Sequence, residues 1–135
     1  MATVLPCKYY NAHYYKMQTL FLTIPFPPSI NTYWGFSGHR RFLTKKAVQF
    51  KIDVSYQVRL ADVNFGDARL FVTMLLYEKD KRIRDIDNTA KPTLDALVQA
   101  GLFNDDSQVD RLLIERREKF KGGKAELIIS VNVLK

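Results

Sequence analysis

Asp85 and Asp87 flank Ile86 in the run Arg84-Asp85-Ile86-Asp87-Asn88, with Lys91 four residues beyond Asp87 and the pair Asp105-Asp106 further along. Carboxylates add nothing to a surface that only holds polyanions. Two of them converging at the start of a helix make an oxygen-rich pocket for a hard divalent cation, above all Mg²⁺. If the chain is extended through Arg84 to Asp87, both carboxylates point to one side, because strand side chains repeat every two residues. Asp87 then stands where it can cap the helix that follows, and the helix dipole favours the ionised form. Lys91 lies one turn deeper on the same side. Its ammonium could offset charge developing on a phosphodiester or orient an attacking water. Asp95, one turn further, reads as a salt-bridge partner of Lys91. The plainer reading of Asp85 and Asp87 is a surface strand end with a helix cap, and Asp105-Asp106 alone reads as a solvent-exposed turn.

Cations surround this acidic spot. Lys81, Arg82 and Arg84 could grip backbone phosphates while one phosphate meets the metal, and such contacts would weaken steeply with salt. The bland alternative is a solvated charge run. Between Asn31 and Arg41, Tyr33, Trp34 and Phe36 stand beside His39, Arg40 and Arg41, a mixture able to stack unpaired bases and hold phosphate. One of these aromatics could equally seal the core, and for Trp34 both readings stay open.

The elements that must position these residues fit one domain, since 135 residues suffice for a single core. Lys and Arg outnumber Asp and Glu by 21 to 14, so the net charge of +7 draws the protein toward polyanions. Cys7 is the only cysteine, which excludes a disulfide framework and a thiolate metal cluster. No apolar run reaches the roughly 20 residues that span a bilayer, and the start lacks a signal-peptide pattern, so a reducing cytoplasm is expected.

Residues 1–18, with Tyr9, Tyr10, Tyr14 and Tyr15 around His13, show no clean period and are expected to be an extension, possible to dispense with if translation starts at Met17. The regular domain then covers residues 19–135. Leu20 to Ile24 reads as a strand stopped by Pro25, Pro27 and Pro28. Ser29 to Arg41 reads as a loop. Thr44 can cap a helix whose apolar positions are Ala47, Val48, Ile52, Tyr56 and Leu60, with Lys45, Lys46, Lys51 and Arg59 on its other face. Leu70 to Tyr77 is the strongest strand. A second helix covers about Asn88 to Ala100, with Pro92 tolerated in its first turn. Val109 to Glu118 and Ala125 to Val133 alternate as strands, joined by Lys121-Gly122-Gly123-Lys124, a pair of glycines suited to a tight hairpin. The expected fold is α+β, ordered β-α-β-α-β-β, with two helices on one face of a small mixed sheet.

From about Leu20 to Val133 the chain resembles the RusA-like Holliday junction resolvases, small endonucleases of bacteria and their phages. The resemblance is carried by Arg84-Asp85-Ile86-Asp87-Asn88, Lys91, Asp95-Ala96-Leu97, Ala100-Gly101 and Asn104-Asp105-Asp106-Ser107-Gln108-Val109. Pro27-Pro28-Ser29-Ile30-Asn31 and Lys121-Gly122-Gly123 extend it. It implies a homodimer that cuts symmetrically related strands of four-way DNA junctions with Mg²⁺ or Mn²⁺. It also implies that Asp85, Asp87 and Asp106 are the metal-binding carboxylates and Lys91 the essential lysine, with Asp105 beside them. Isologous two-fold symmetry suits paired incisions. The rival readings are a non-catalytic module binding branched or single-stranded DNA, and an assembly protein with an incidental basic face.

Overall fold

The computed structural model describes residues 2–6 and 18–133. The four aromatic Tyr9, Tyr10, Tyr14 and Tyr15 and the alternative start at Met17 lie outside the described residues. Seven strands and two helices run in the order β1 (Ala2–Pro6), β2 (Gln18–Ile24), β3 (Trp34–Ser37), β4 (Arg40–Leu43), α1 (Lys45–Ala61), β5 (Leu70–Tyr77), α2 (Ala90–Gln99), β6 (Val109–Arg116) and β7 (Lys124–Val131). Four strands form the mixed sheet in the order β2-β7-β5-β6, with β1 added along the outer edge of β2. Strand β1 lies in a segment that the sequence left without an element. The hairpin β3–β4 starts inside the stretch expected to be a loop and runs two residues beyond it, to Leu43.

Strand β5 is the axis of the sheet. It pairs in parallel with β6, as a β-α-β crossover through α2 requires, and antiparallel with β7. One face of the sheet is apolar throughout, with Leu20, Leu22 and Ile24 on β2, Leu70, Val72, Met74 and Leu76 on β5, and Ala125, Leu127 and Ile129 on β7. Helices α1 and α2 cover that face, contributing Phe50, Val54 and Val58 from α1 and Leu94, Ala96 and Leu97 from α2 to the same core.

The expected tight hairpin between β6 and β7 is corrected. The two glycines do take positive φ, 86° at Gly122 and 73° at Gly123, but β7 passes over β5 and inserts between it and β2. Burial decides this: the Ala125, Leu127, Ile129 face of β7 is fully covered only in the middle of the sheet, whereas β6, with Leu112 and Leu113 partly in solvent, tolerates the edge.

The face assigned to α1 is also corrected. Thr44 caps the helix as expected, its Oγ1 accepting from the Ala47 amide at 3.3 Å. The buried side, however, is Ala47, Phe50, Val54 and Val58, while Val48, Ile52, Tyr56 and Leu60 are between 43% and 60% exposed. Both sets recur at helical spacing, so periodicity could not choose between them, and the sheet accepted the side that delivers the Phe50 ring. Phe50→Ala should therefore destabilise the protein by about 3–5 kcal/mol. Ile52→Ala should cost under about 1 kcal/mol. Urea unfolding of the two variants checks the difference, and the reverse order would restore the original assignment.

Candidate active site

The acidic run does not continue β5 as an extended strand. Asp85 is extended, with φ −81° and ψ 129°, but Ile86 to Thr89 form a 3₁₀ turn that runs straight into α2. Ile86 packs on the core, while its neighbours Asp85 and Asp87 are exposed and line one groove. An anchored turn, not strand alternation, carries both acids. Asp87 is not the cap of α2. That position belongs to Thr89, and the preceding turn spares the helix a side-chain cap. Neither the Asp85 nor the Asp87 carboxylate makes a hydrogen bond or ion pair among the described residues.

Lys91, in the first turn of α2, pairs with two other acids. Its Nζ donates to Asp106 Oδ2 at 2.8 Å and lies 3.1 Å from Asp95 Oδ1. The Asp95 bridge was expected from the sequence. The Asp106 contact brings together residues whose approach the sequence could not establish. Hydrogen bonding to Asp106 and then to Asp95 holds the ammonium above the usual lysine range, more strongly than its slight burial lowers it. Lys91 is therefore a cation at any neutral pH.

Three devices return Asp106 to α2. The helix ends in a Schellman motif, with the Gly101 amide bonded to Val98 O and the Leu102 amide to Leu97 O, and Gly101 at φ 86°. A capping box then starts a short 3₁₀ turn over Asp106–Gln108. In it Asp105 Oδ2 accepts from the Ser107 amide, and hydrogen bonding from the Ser107 side chain and then from this amide keeps the Asp105 carboxyl below its ordinary range. That employment is structural.

The third device is Gln108, whose role sequence reasoning missed. Its buried amide oxygen accepts from the Asn104 and Asp105 amides at 2.8 and 2.7 Å, and its Nε2 donates to the carbonyls of Gly66 and Ala68 at 2.9 and 2.8 Å. Gln108→Ala would leave the Asp105 amide and the Ala68 carbonyl without partners, the Asn104 amide and the Gly66 carbonyl keeping only their 3.1 Å bond to each other, at a cost of about 2–4 kcal/mol. Thermal and urea unfolding should show that loss together with weaker cleavage. A change under about 0.5 kcal/mol would mean that the loop is held by other contacts.

Glu78 follows β5 directly, and sequence reasoning assigned it no role. It is 3% exposed and gathers the neighbouring cations: Arg116 Nε at 2.8 Å, Arg84 Nη1 at 3.3 Å and Lys119 Nζ at 4.0 Å. Arg84 also grips Asp80 at 2.8 Å, and this hydrogen bond draws the Asp80 carboxyl down to about 2. Of the three cations expected to meet phosphate, Arg84 is thus already engaged. Lys81 and Arg82 stay exposed, with no ion pair among the described residues. They rim an open groove of about 700 Å³ that also contains Asp85, Asp87 and Arg116.

The aromatic loop adjoins the site, because the turn Ile30–Thr32 packs beside the turn Ile86–Thr89. Asn31, His39, Arg40 and Arg41 are exposed on it. The aromatics divide: Tyr33 seals the core, Trp34 is half-buried with its ring edge-to-face against Tyr33 and the Arg41 guanidinium 4.0 Å above it, and Phe36 is free.

An all-carboxylate donor set of Asp85, Asp87 and Asp106 fits a hard divalent cation in kind. Among the described residues no three acids, histidines or cysteines are gathered closely enough to form a metal cluster. One oxygen of Asp106 is occupied by Lys91.

The family model for Endodeoxyribonuclease RusA matches residues 25–132. The chain belongs to the RusA endodeoxyribonuclease family. A crossover junction endodeoxyribonuclease of Enterobacteria phage HK97 is 34% identical over 108 residues, covering 79% of this chain and 90% of that protein. Proteins of the same description from Shigella sonnei and Enterobacteria phage 82 are 31% and 30% identical over 115 residues, covering 84% of this chain and 96% of the Shigella protein. The RusA match takes in both acidic runs, Lys91 and Gln108, and it begins after β2. Among the described residues no helix is long and apolar enough to cross a membrane.

Proposed function

We propose that this RusA-family chain is a Mg²⁺-dependent endonuclease that resolves four-way DNA junctions by paired, symmetric hydrolysis of phosphodiesters. The observation that carries the reading is the pair of uncommitted carboxylates, Asp85 and Asp87, in a cation-rimmed groove, in the turn that leads into the helix whose Lys91 pairs with Asp106.

Asp85, Asp87 and Asp106 would hold the ion, with Mn²⁺ as a substitute. Bound there, it would polarise a phosphate oxygen and acidify a water. The chain's own residues do the rest. Lys81 and Arg82 hold flanking phosphates, and Arg84 supports them from its fixed place between Asp80 and Glu78. Asn31, Trp34, His39, Arg40 and Arg41 form a second DNA-contacting arm on and beside the β3–β4 hairpin. Lys91, cationic and aimed by Asp95, stabilises negative charge on the reacting phosphate and has no free pair with which to act as a base. Two incisions related by symmetry call for two copies of the site, which an isologous homodimer provides. Junctions of this kind arise in bacterial cytoplasm during recombination and repair, on cellular or phage DNA.

The alternative is a module that binds branched DNA without cutting it. Incubating the purified protein with four-way junctions, flaps and linear duplex, with Mg²⁺ or with EDTA, separates the two. Cutting in Mg²⁺ alone is expected. Binding without cutting in either condition favours the alternative.

A further inference from the structure

The turn that leads from β5 to Asp85 carries an isoleucine at its tip. Ile83 is 94% exposed, while Phe36, at 71%, is the next most exposed large apolar side chain among the described residues. Single exposed apolar residues are ordinary, but this one has an unusual setting. It stands between Arg82 and Arg84, two residues before Asp85, and lines the same groove as Asp85 and Asp87. A turn with no task beyond solvation would take a polar residue there.

The turn is also braced. The Arg82 amide donates to Asp80 Oδ1 at 2.9 Å, and Arg84 Nη1 donates to the same oxygen at 2.8 Å. Arg116 bonds Glu78 at 2.8 Å and also donates to the carbonyl of Arg84, one residue before the acidic pair. Buried Glu78 therefore fixes the base of the turn and the backbone entering Asp85 together. The tip is presented at a set position relative to the carboxylates, with Lys81 and Arg82 free beside it.

We propose that Ile83 is a wedge that enters the base stack of bound DNA next to the phosphate offered to Asp85 and Asp87. Apolar side chains inserted between base steps unstack and kink DNA, and flanking cations hold the backbone while they do so. At the branch point of a junction stacking is already interrupted, so insertion costs least there. The wedge would favour branched over linear DNA without reading sequence. This inference rests on the proposed DNA-cleaving function.

The test uses a four-way junction with 2-aminopurine at the branch point, whose fluorescence rises when its base unstacks. In an Asp87→Asn background, which holds the junction uncut, binding should raise the fluorescence. Adding Ile83→Ala should remove most of the rise, and Ile83→Met should restore it. Ile52→Ala, an apolar truncation on the exposed side of α1, should leave it unchanged. With Asp87 intact, Ile83→Ala should slow junction cleavage about ten- to hundredfold. An equal rise with and without Ile83 while binding persists overturns the wedge alone. Failure of the Asp87→Asn protein to bind any junction overturns the functional reading and the wedge with it.

Discussion

Asp87→Asn should reduce junction cleavage by about a thousandfold or more while leaving junction binding intact or tighter. The substitution is nearly isosteric, and the Asp87 carboxylate makes no hydrogen bond or ion pair among the described residues, so folding loses nothing by it. What disappears is one anionic oxygen donor and one negative charge in the groove that must receive phosphate. Single-turnover cleavage and gel-shift titration separate the two effects. Full activity with an unchanged melting temperature would remove Asp87 from the site.

Lys91→Ala should slow cleavage by about 10² to 10³. The side chain is 57% exposed, and its two ion pairs face solvent, so stability should fall by less than about 1 kcal/mol. The chemistry loses more, because Asp95 and Asp106 would then face the reacting phosphate without the cation between them. Lys91→Arg keeps the charge but spreads it over a planar fork in place of a compact ammonium, so it should recover only part of the rate. Equal losses of stability and activity in the alanine variant, with full recovery by arginine, would reduce Lys91 to a strut holding the 104–108 loop.

Strand β5 was legible because eight apolar or β-branched residues leave it no other role. The acidic run stood out in the sequence as a candidate site because two carboxylates and a lysine share that spacing beside a cluster of cations. Packing decided the remainder. Helix α1 has an apolar stripe on each of two opposite sides, and only contact with the sheet selects Phe50, Val54 and Val58 over Ile52, Tyr56 and Leu60. Strands β6 and β7 look like a hairpin because they follow one another across two glycines, yet β7 belongs between β2 and β5. The return of Asp106 depends on Gln108 reaching Gly66 and Ala68, a pairing across about 40 residues that leaves no local pattern. Glu78 was hidden too. It opens a run of charges that carries no local sign of burial, yet it is the buried counter-ion of Arg84 and Arg116 at the groove.

The central claim is that this chain cuts branched DNA in pairs at the branch. The direct measurement is to label each strand of a four-way junction in turn and map the cuts made in Mg²⁺, with a flap and a linear duplex of the same sequence alongside. The expected result is a matched pair of nicks on two strands related by the junction's symmetry, absent with EDTA and absent from the duplex. Cuts scattered along the duplex as readily as at the junction, or binding with no cuts at all, would contradict it.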